Sequence, residues 1–134
     1  MTGREAVQDP RPRGTPLALI VDDDDDMREF LTMTVQLEGF VTHAVKSGAD
    51  AIEYLADDPA DLLITDQRMP GLTGLEVATT LREQGYNSPI VLFSAYMDSK
   101  LAQACERLNV RPLSKIDIEA LRRVVRTVAN ELKG

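Results

Sequence analysis

The chain has 134 residues, 43% hydrophobic and 28% charged, with 22 acidic against 15 basic side chains and a formal net charge of −7. That is the composition of one globular domain, large enough to bury a core without disulfides or metal staples, and its acidity weighs against gripping a nucleic-acid backbone. A single cysteine, Cys105, and a single histidine, His43, exclude an internal disulfide, a cysteine-cluster metal site and a histidine-rich zinc site. No apolar run approaches ~18 residues, so no membrane span is expected. The start lacks the apolar stretch of a secretory signal, and the expected location is the cytoplasm.

Residues 1–16 hold Pro10, Pro12, Pro16, Gly3 and Gly14 without apolar periodicity, as a flexible leader would. The folded domain is expected over 17–134. Leu17-Ala18-Leu19-Ile20-Val21 is a continuous apolar run ended by carboxylates, the pattern of a strand buried on both faces. Met27, Phe30, Leu31, Thr34 and Val35 recur at helical spacing, and Gly39 stops that helix. Val41–Val45 is a short β-rich run. Ser47 with Asp50 resembles a capping pair for a helix with Ala51, Ile52 and Leu55 on its apolar side.

Leu62-Leu63-Ile64 predicts a third strand, ending at Thr65-Asp66. Thr73-Gly74-Leu75-Glu76 is a capping box that opens a helix carrying Val77, Ala78 and Leu81. Ile90–Phe93 follows the Asn87-Ser88-Pro89 turn as strand four. Leu101, Ala104, Cys105 and Leu108 form a fourth helical stripe. Val110–Ser114 is a weaker strand that Pro112 restricts to a sheet edge. Leu121, Val124, Val125, Val128, Ala129 and Leu132 make the clearest helix in the chain. Five strands alternating with five helices predict a doubly wound α/β domain with a parallel sheet covered on both faces.

In such a sheet ligands bind beyond the carboxyl ends of the strands. Asp22 and Asp23 follow strand one, Asp66 follows strand three, strand four ends at Ser94, and strand five runs into Lys115. Three acids, one hydroxyl and one ammonium therefore converge on one crevice. Three neighbouring carboxylates repel, so they either bind a cation or raise a pKa. A hard divalent ion such as Mg²⁺ is the natural partner. The run Asp22–Asp26 is not an EF-hand, because the required Gly falls on Met27 and the terminal Glu on Met33.

Val21-Asp22-Asp23, Asp66 with Met69-Pro70-Gly71 and Gly74-Leu75-Glu76-Val77, then Ser94-Ala95 and Lys115, together resemble a response-regulator receiver domain over roughly Leu17 to Leu132. The resemblance implies the flavodoxin-like strand order 2-1-3-4-5. It implies that Asp66 is the phosphoacceptor, taking a phosphoryl group from a sensor histidine kinase or a histidine phosphotransfer protein. Asp22 and Asp23 would hold Mg²⁺ with Asp66 and the backbone carbonyl of Arg68. Lys115 would pair with the phosphoryl group, and Ser94 would donate its hydroxyl to it, moving inward. Such a chain is a switch acting on a downstream protein target, as a monomer or a phosphorylation-dependent dimer, and not a turnover enzyme. No direct nucleic-acid or membrane contact is expected. No output domain follows within the 134 residues, as for a stand-alone regulator or a piece of a longer chain.

The sequence departs from the family in three places. Lys115 is followed by Ile116 where the family usually has proline, so a trans bond is expected, since cis would cost ~3 kcal/mol. The chain would then be redirected before the helix near Asp117, and Lys115 would reach the phosphoryl site less well or only after rearrangement. Pro112 stands where the family has an aromatic switch residue. Thr73 replaces a common acid but remains a good N-cap.

Two other functions fit parts of the pattern. A receiver fold that no longer takes phosphate would serve as an interaction module. A haloacid-dehalogenase-type phosphatase would use the Asp-x-Asp spacing within Asp22-Asp23-Asp24, but it needs a late acidic motif, and after Lys115 only Asp117 and Glu119 are offered. Plainer readings apply elsewhere. Asp24, Asp25 and Asp26 suit a solvated helix start, His43 packing or surface, Cys105 core, and Arg122, Arg123 and Arg126 the wet face of the last helix.

Overall fold

In the computed structural model, which describes residues 14–133, every position of Leu17–Val21 (β1), Leu62–Thr65 (β3) and Ile90–Ser94 (β4) is buried. These apolar runs are the three central strands. Val41–Val45 (β2) and Val110–Ser114 (β5) are partly exposed and lie at the edges. The sheet is parallel throughout in the order β2-β1-β3-β4-β5. Pro112 occupies the edge strand, where its missing N–H costs no ladder bond on the open side. Residues 1–13 of the expected leader lie outside the described residues.

Among the described residues, five helices follow the strands: Asp25–Gln36 (α1), Gly48–Asp57 (α2), Gly74–Glu83 (α3), Ser99–Arg107 (α4) and Ile118–Lys133 (α5). Alternate strand residues point to opposite faces, which divides the core in two. Leu17, Leu19, Val21, Leu63, Ile90 and Leu92 pack under α2, α3 and α4. Ala18, Ile20, Leu62, Ile64, Val91 and Phe93 pack under α1 and α5. None of the described helices is long and apolar enough to cross a membrane.

The helix starts are set by short polar side chains. Asp24, Ser47 and Asp98 accept from the backbone N–H of Met27, Asp50 and Leu101, each satisfying a donor that the first helical turn leaves open. Thr73 and Glu76 form the complete capping box. Asp117 does the same for α5 by accepting from Ala120 N at 3.0 Å.

Two stripes are narrower than their periodicity predicts. Phe30 is 37% exposed and Leu132 47%, while Leu31, Val35, Leu121 and Val125 between them are buried. Phe30 lies at the edge of its stripe, and Leu132 lies in the last turn of α5. Cys105 is buried and its thiol is pushed up by that burial. His43 is exposed on β2 and stacks on Tyr54 with ring centroids 4.2 Å apart. On α5, Arg122, Arg123 and Arg126 are exposed, with Arg126 paired to Glu38 beyond α1 at 3.0 Å.

Candidate functional site

The chain runs from β1 outward to β2 and then returns to the far side of β1 as β3. That reversal leaves a crevice at the carboxyl ends of β1 and β3, bounded by the loops that leave them. Asp22 and Asp66 sit there as the residues that follow each strand. The ladder extends to hold them: Asp22 N donates to Val45 O, and Asp66 N to Val21 O.

The carboxylates of Asp22, Asp23 and Asp66 each place an oxygen within 4.8 Å of the others. Asp22 is fully buried, Asp66 nearly so, and Asp23 is open to solvent. Asp22 Oδ1 accepts from Asp24 N at 2.9 Å, and its carbonyl accepts from the Arg28 guanidinium. Asp66 Oδ1 accepts from Gln67 N at 2.8 Å. Asp24 is turned away to cap α1, and Asp25 and Asp26 are exposed, as a solvated helix start requires.

Lys115 closes the group. Its Nζ lies 3.1 Å from Asp22 Oδ2 and 3.3 Å from Asp66 Oδ1. The described residues contain no cis peptide bond, so Lys115–Ile116 is trans as expected. Lys115 was expected to reach this site less well, or only after rearrangement; with the bond trans, its Nζ already lies beside both acids. The ladder explains why: Lys115 N donates to Ser94 O at 2.9 Å, continuing β5 one residue past its end and aiming the side chain before the loop diverges. The departure falls on Ile116 instead, which is 91% exposed.

Burial pushes the Asp66 carboxyl above its ordinary range. Lys115 pulls it back, Asp22 pushes it up again, and the Gln67 amide pulls it down. For Lys115, burial alone would lower the ammonium, but the hydrogen bond to Asp22 and the charges of Asp66 and Asp22 together outweigh it and raise it. Each group thus perturbs the other, as in a functional carboxylate cluster.

Ser94 is buried at the end of β4, and its Oγ accepts from Tyr96 N at 3.3 Å rather than bonding Asp66. Arg68 follows Asp66 by two residues, and its exposed guanidinium lies 5.3 Å from the centre of the Tyr96 ring. Gly74 lets α3 approach the site. A Cβ there would stand 2.2 Å from the carbonyl oxygen of Asp66. Gln67 braces the same junction, its carbonyl accepting from Gly74 N and its Oε1 from Leu75 N.

Sequence reasoning missed Arg28, Gln67 and Tyr96. Arg28 and Gln67 hold backbone groups around the acids, and only Tyr96 carries a signal, as an aromatic two residues past a strand-end hydroxyl. The arrangement can bind a divalent cation through oxygen and can present one carboxylate, Asp66, beside a fixed ammonium.

Comparison with known proteins agrees with this geometry. A family model described as the response regulator receiver domain matches residues 18–126. The chain is 34% identical over 113 residues to the response regulator protein PilR of Pseudomonas aeruginosa, covering 82% of this chain and 25% of that protein. It is 39% identical over 77 residues to the response regulator MprA of Mycobacterium ulcerans, covering 58% of this chain and 33% of that one. It therefore spans a third or less of the length of these relatives. Among solved structures, the Thermotoga maritima response regulator TrrA, in complex with Mg(2+)-BeF, superposes with a TM-score of 0.75 at 27% identity, covering 84% of this chain and 98% of its own. A response regulator receiver protein from Pseudomonas putida gives 0.77 at 28% identity, covering 84% and 96%. With five parallel strands in the order 2-1-3-4-5 and a family match over most of its length, the chain belongs to the response regulator receiver domains.

Proposed function

We propose that the chain is a phosphoacceptor switch. Asp66 takes a phosphoryl group from a phosphohistidine of a histidine kinase or histidine phosphotransfer protein, and the modified domain meets a downstream protein partner differently. The observation that supports this is the convergence of Asp66 with Asp22, Asp23 and the Lys115 ammonium in one crevice. A carboxylate oxygen of Asp66 forms the bond to phosphorus. The P–N bond of the donor breaks, and the imidazole nitrogen keeps the electron pair.

Three carboxylates against one ammonium leave negative charge to be balanced, and a set of hard oxygen donors suits Mg²⁺. Asp22, Asp23, Asp66 and the backbone carbonyl of Arg68 would hold it. That TrrA is described in complex with Mg(2+)-BeF supports the same ion here. When bound, the ion supplies the positive charge that phosphoryl transfer between anions requires. Lys115 pairs with the phosphoryl oxygens as a point charge. The Ser94 hydroxyl turns from the loop to donate to one of them. The added charge then biases the loops after β4 and β5. Because the group is accepted and lost on the protein's own side chain, the chain acts as a switch rather than as a turnover enzyme.

The test is incorporation from acetyl phosphate. One phosphoryl group is expected on the native chain with Mg²⁺, and none with a chelator or in Asp66→Asn. Incorporation that persists in Asp66→Asn refutes the assignment. No incorporation in the native chain with Mg²⁺ favours the phosphate-independent interaction module.

A further inference from the structure

Pro112 leaves β5 without a ring near Ser94, so movement of that hydroxyl has no aromatic partner on the edge strand. An aromatic partner exists on the loop of Ser94 itself. The Tyr96 amide donates to Ser94 Oγ at 3.3 Å, and the Tyr96 ring faces the Arg68 guanidinium at 5.3 Å. Ser94 ends β4, Arg68 lies in the loop that leaves β3, and the two strands are paired. One tyrosine therefore touches the buried hydroxyl with its backbone and the loop that follows Asp66 with its ring.

We propose that Tyr96 is a positioning residue that carries the movement of Ser94 to the Asp66 loop and to the surface through Arg68, in place of a ring on β5. The inference rests on the phosphoacceptor reading. The Tyr96 bond to Ser94 is neutral and, at 3.3 Å, longer than the usual N–H···O range. A hydroxyl bonded to a phosphoryl oxygen makes a charge-assisted bond that is roughly twice as strong. When Ser94 turns, the amide of Tyr96 loses its acceptor, the loop shifts, and the ring leaves Arg68. Both side chains are exposed, so this release exposes no core. Coupling is reciprocal. A contact present only in the free state opposes occupancy, and removing it tightens binding of a phosphoryl analogue.

The experiment titrates the full chain with Mg²⁺ and beryllofluoride and follows three NMR signals. The Gln67 amide, bonded to Asp66 in the free protein, reports occupancy. The Tyr96 ring and Arg68 Nε report release. All three are expected to shift with one midpoint in the native chain. In Ser94→Ala at saturating beryllofluoride, Gln67 is expected to respond while Tyr96 and Arg68 keep their free positions. Tyr96→Ala and Arg68→Ala are expected to bind the analogue about two- to fivefold more tightly, the size of an exposed cation–π contact, and Tyr96→Phe to match the native chain. The coupling is overturned, with the phosphoacceptor reading intact, if Gln67 responds alone in the native chain. It is equally overturned if Tyr96 responds in Ser94→Ala, or if Tyr96→Ala binds no more tightly. A native chain in which Gln67 does not respond overturns both.

Discussion

Asp66 carries its charge where the fold resists it. Its folded pKa is raised, first by burial, so the favourable contribution of this group to stability is present below the ordinary carboxylate pKa and is lost as pH rises through the raised value. At neutral pH without divalent ions, Asp66→Asn should therefore melt at a higher temperature than the native chain. The difference should shrink as pH falls below the ordinary carboxylate range, and a lower melting temperature at pH 7 would contradict it. Lys115 has the opposite role, since it compensates two buried acids at once. Removing one partner of a buried pair costs about 3–5 kcal/mol, so with this lysine partly open to solvent Lys115→Met should lose about 2 kcal/mol in metal-free urea unfolding. A loss below about 0.5 kcal/mol, typical of a surface substitution, would show that the pair is not compensating. The acids were legible in the sequence because each follows an apolar strand. The reach of Lys115 was not legible there, because the ladder bond of its own amide to Ser94, not the bond after it, aims the side chain.

At the scale of elements, α3 sets how tightly the site is closed. A Cβ on Gly74 meets backbone rather than a movable side chain, so Gly74→Ala must displace either the helix or the Asp66 loop. A loss of about 1–3 kcal/mol is expected, together with at least tenfold weaker Mg²⁺ binding. Thr73→Ala, one residue away, should cost about 1 kcal/mol as a lost cap and leave Mg²⁺ affinity unchanged. Equal effects on affinity from both would show that α3 acts only through its stability. The capping box was readable from four consecutive residues. Arg82 was not, because its guanidinium donates to the carbonyls of Tyr86, Ser88, Leu108 and Asn109, joining two connections at the other end of the sheet. No spacing in the chain marks a residue whose partners are all backbone oxygens, two of them more than twenty positions away.

For the molecule as a whole, strand order decides which residues meet. Asp22 and Asp66 are 44 positions apart, and Lys115 lies 49 beyond Asp66, yet the order β2-β1-β3-β4-β5 gathers all three at one end. Alternation of apolar strands and helices made the layered sheet legible. The order came from family resemblance, since periodicity alone does not rank strands in a sheet. The same convergence predicts how the fold responds to metal. Mg²⁺ at 100 times its dissociation constant should stabilise the folded chain by about 2.7 kcal/mol. Asp23→Asn should reduce that gain and Asp24→Asn should not, because Asp24 is committed to capping α1. Equal reductions would place Asp24 among the ligands. The most direct test of the central claim is chemical. After reaction with acetyl phosphate and Mg²⁺, borohydride reduction converts an aspartyl phosphate to homoserine, which peptide mass mapping then locates. Homoserine at position 66 alone is the expected result, and homoserine at any of positions 22–26, or at none, would contradict the account.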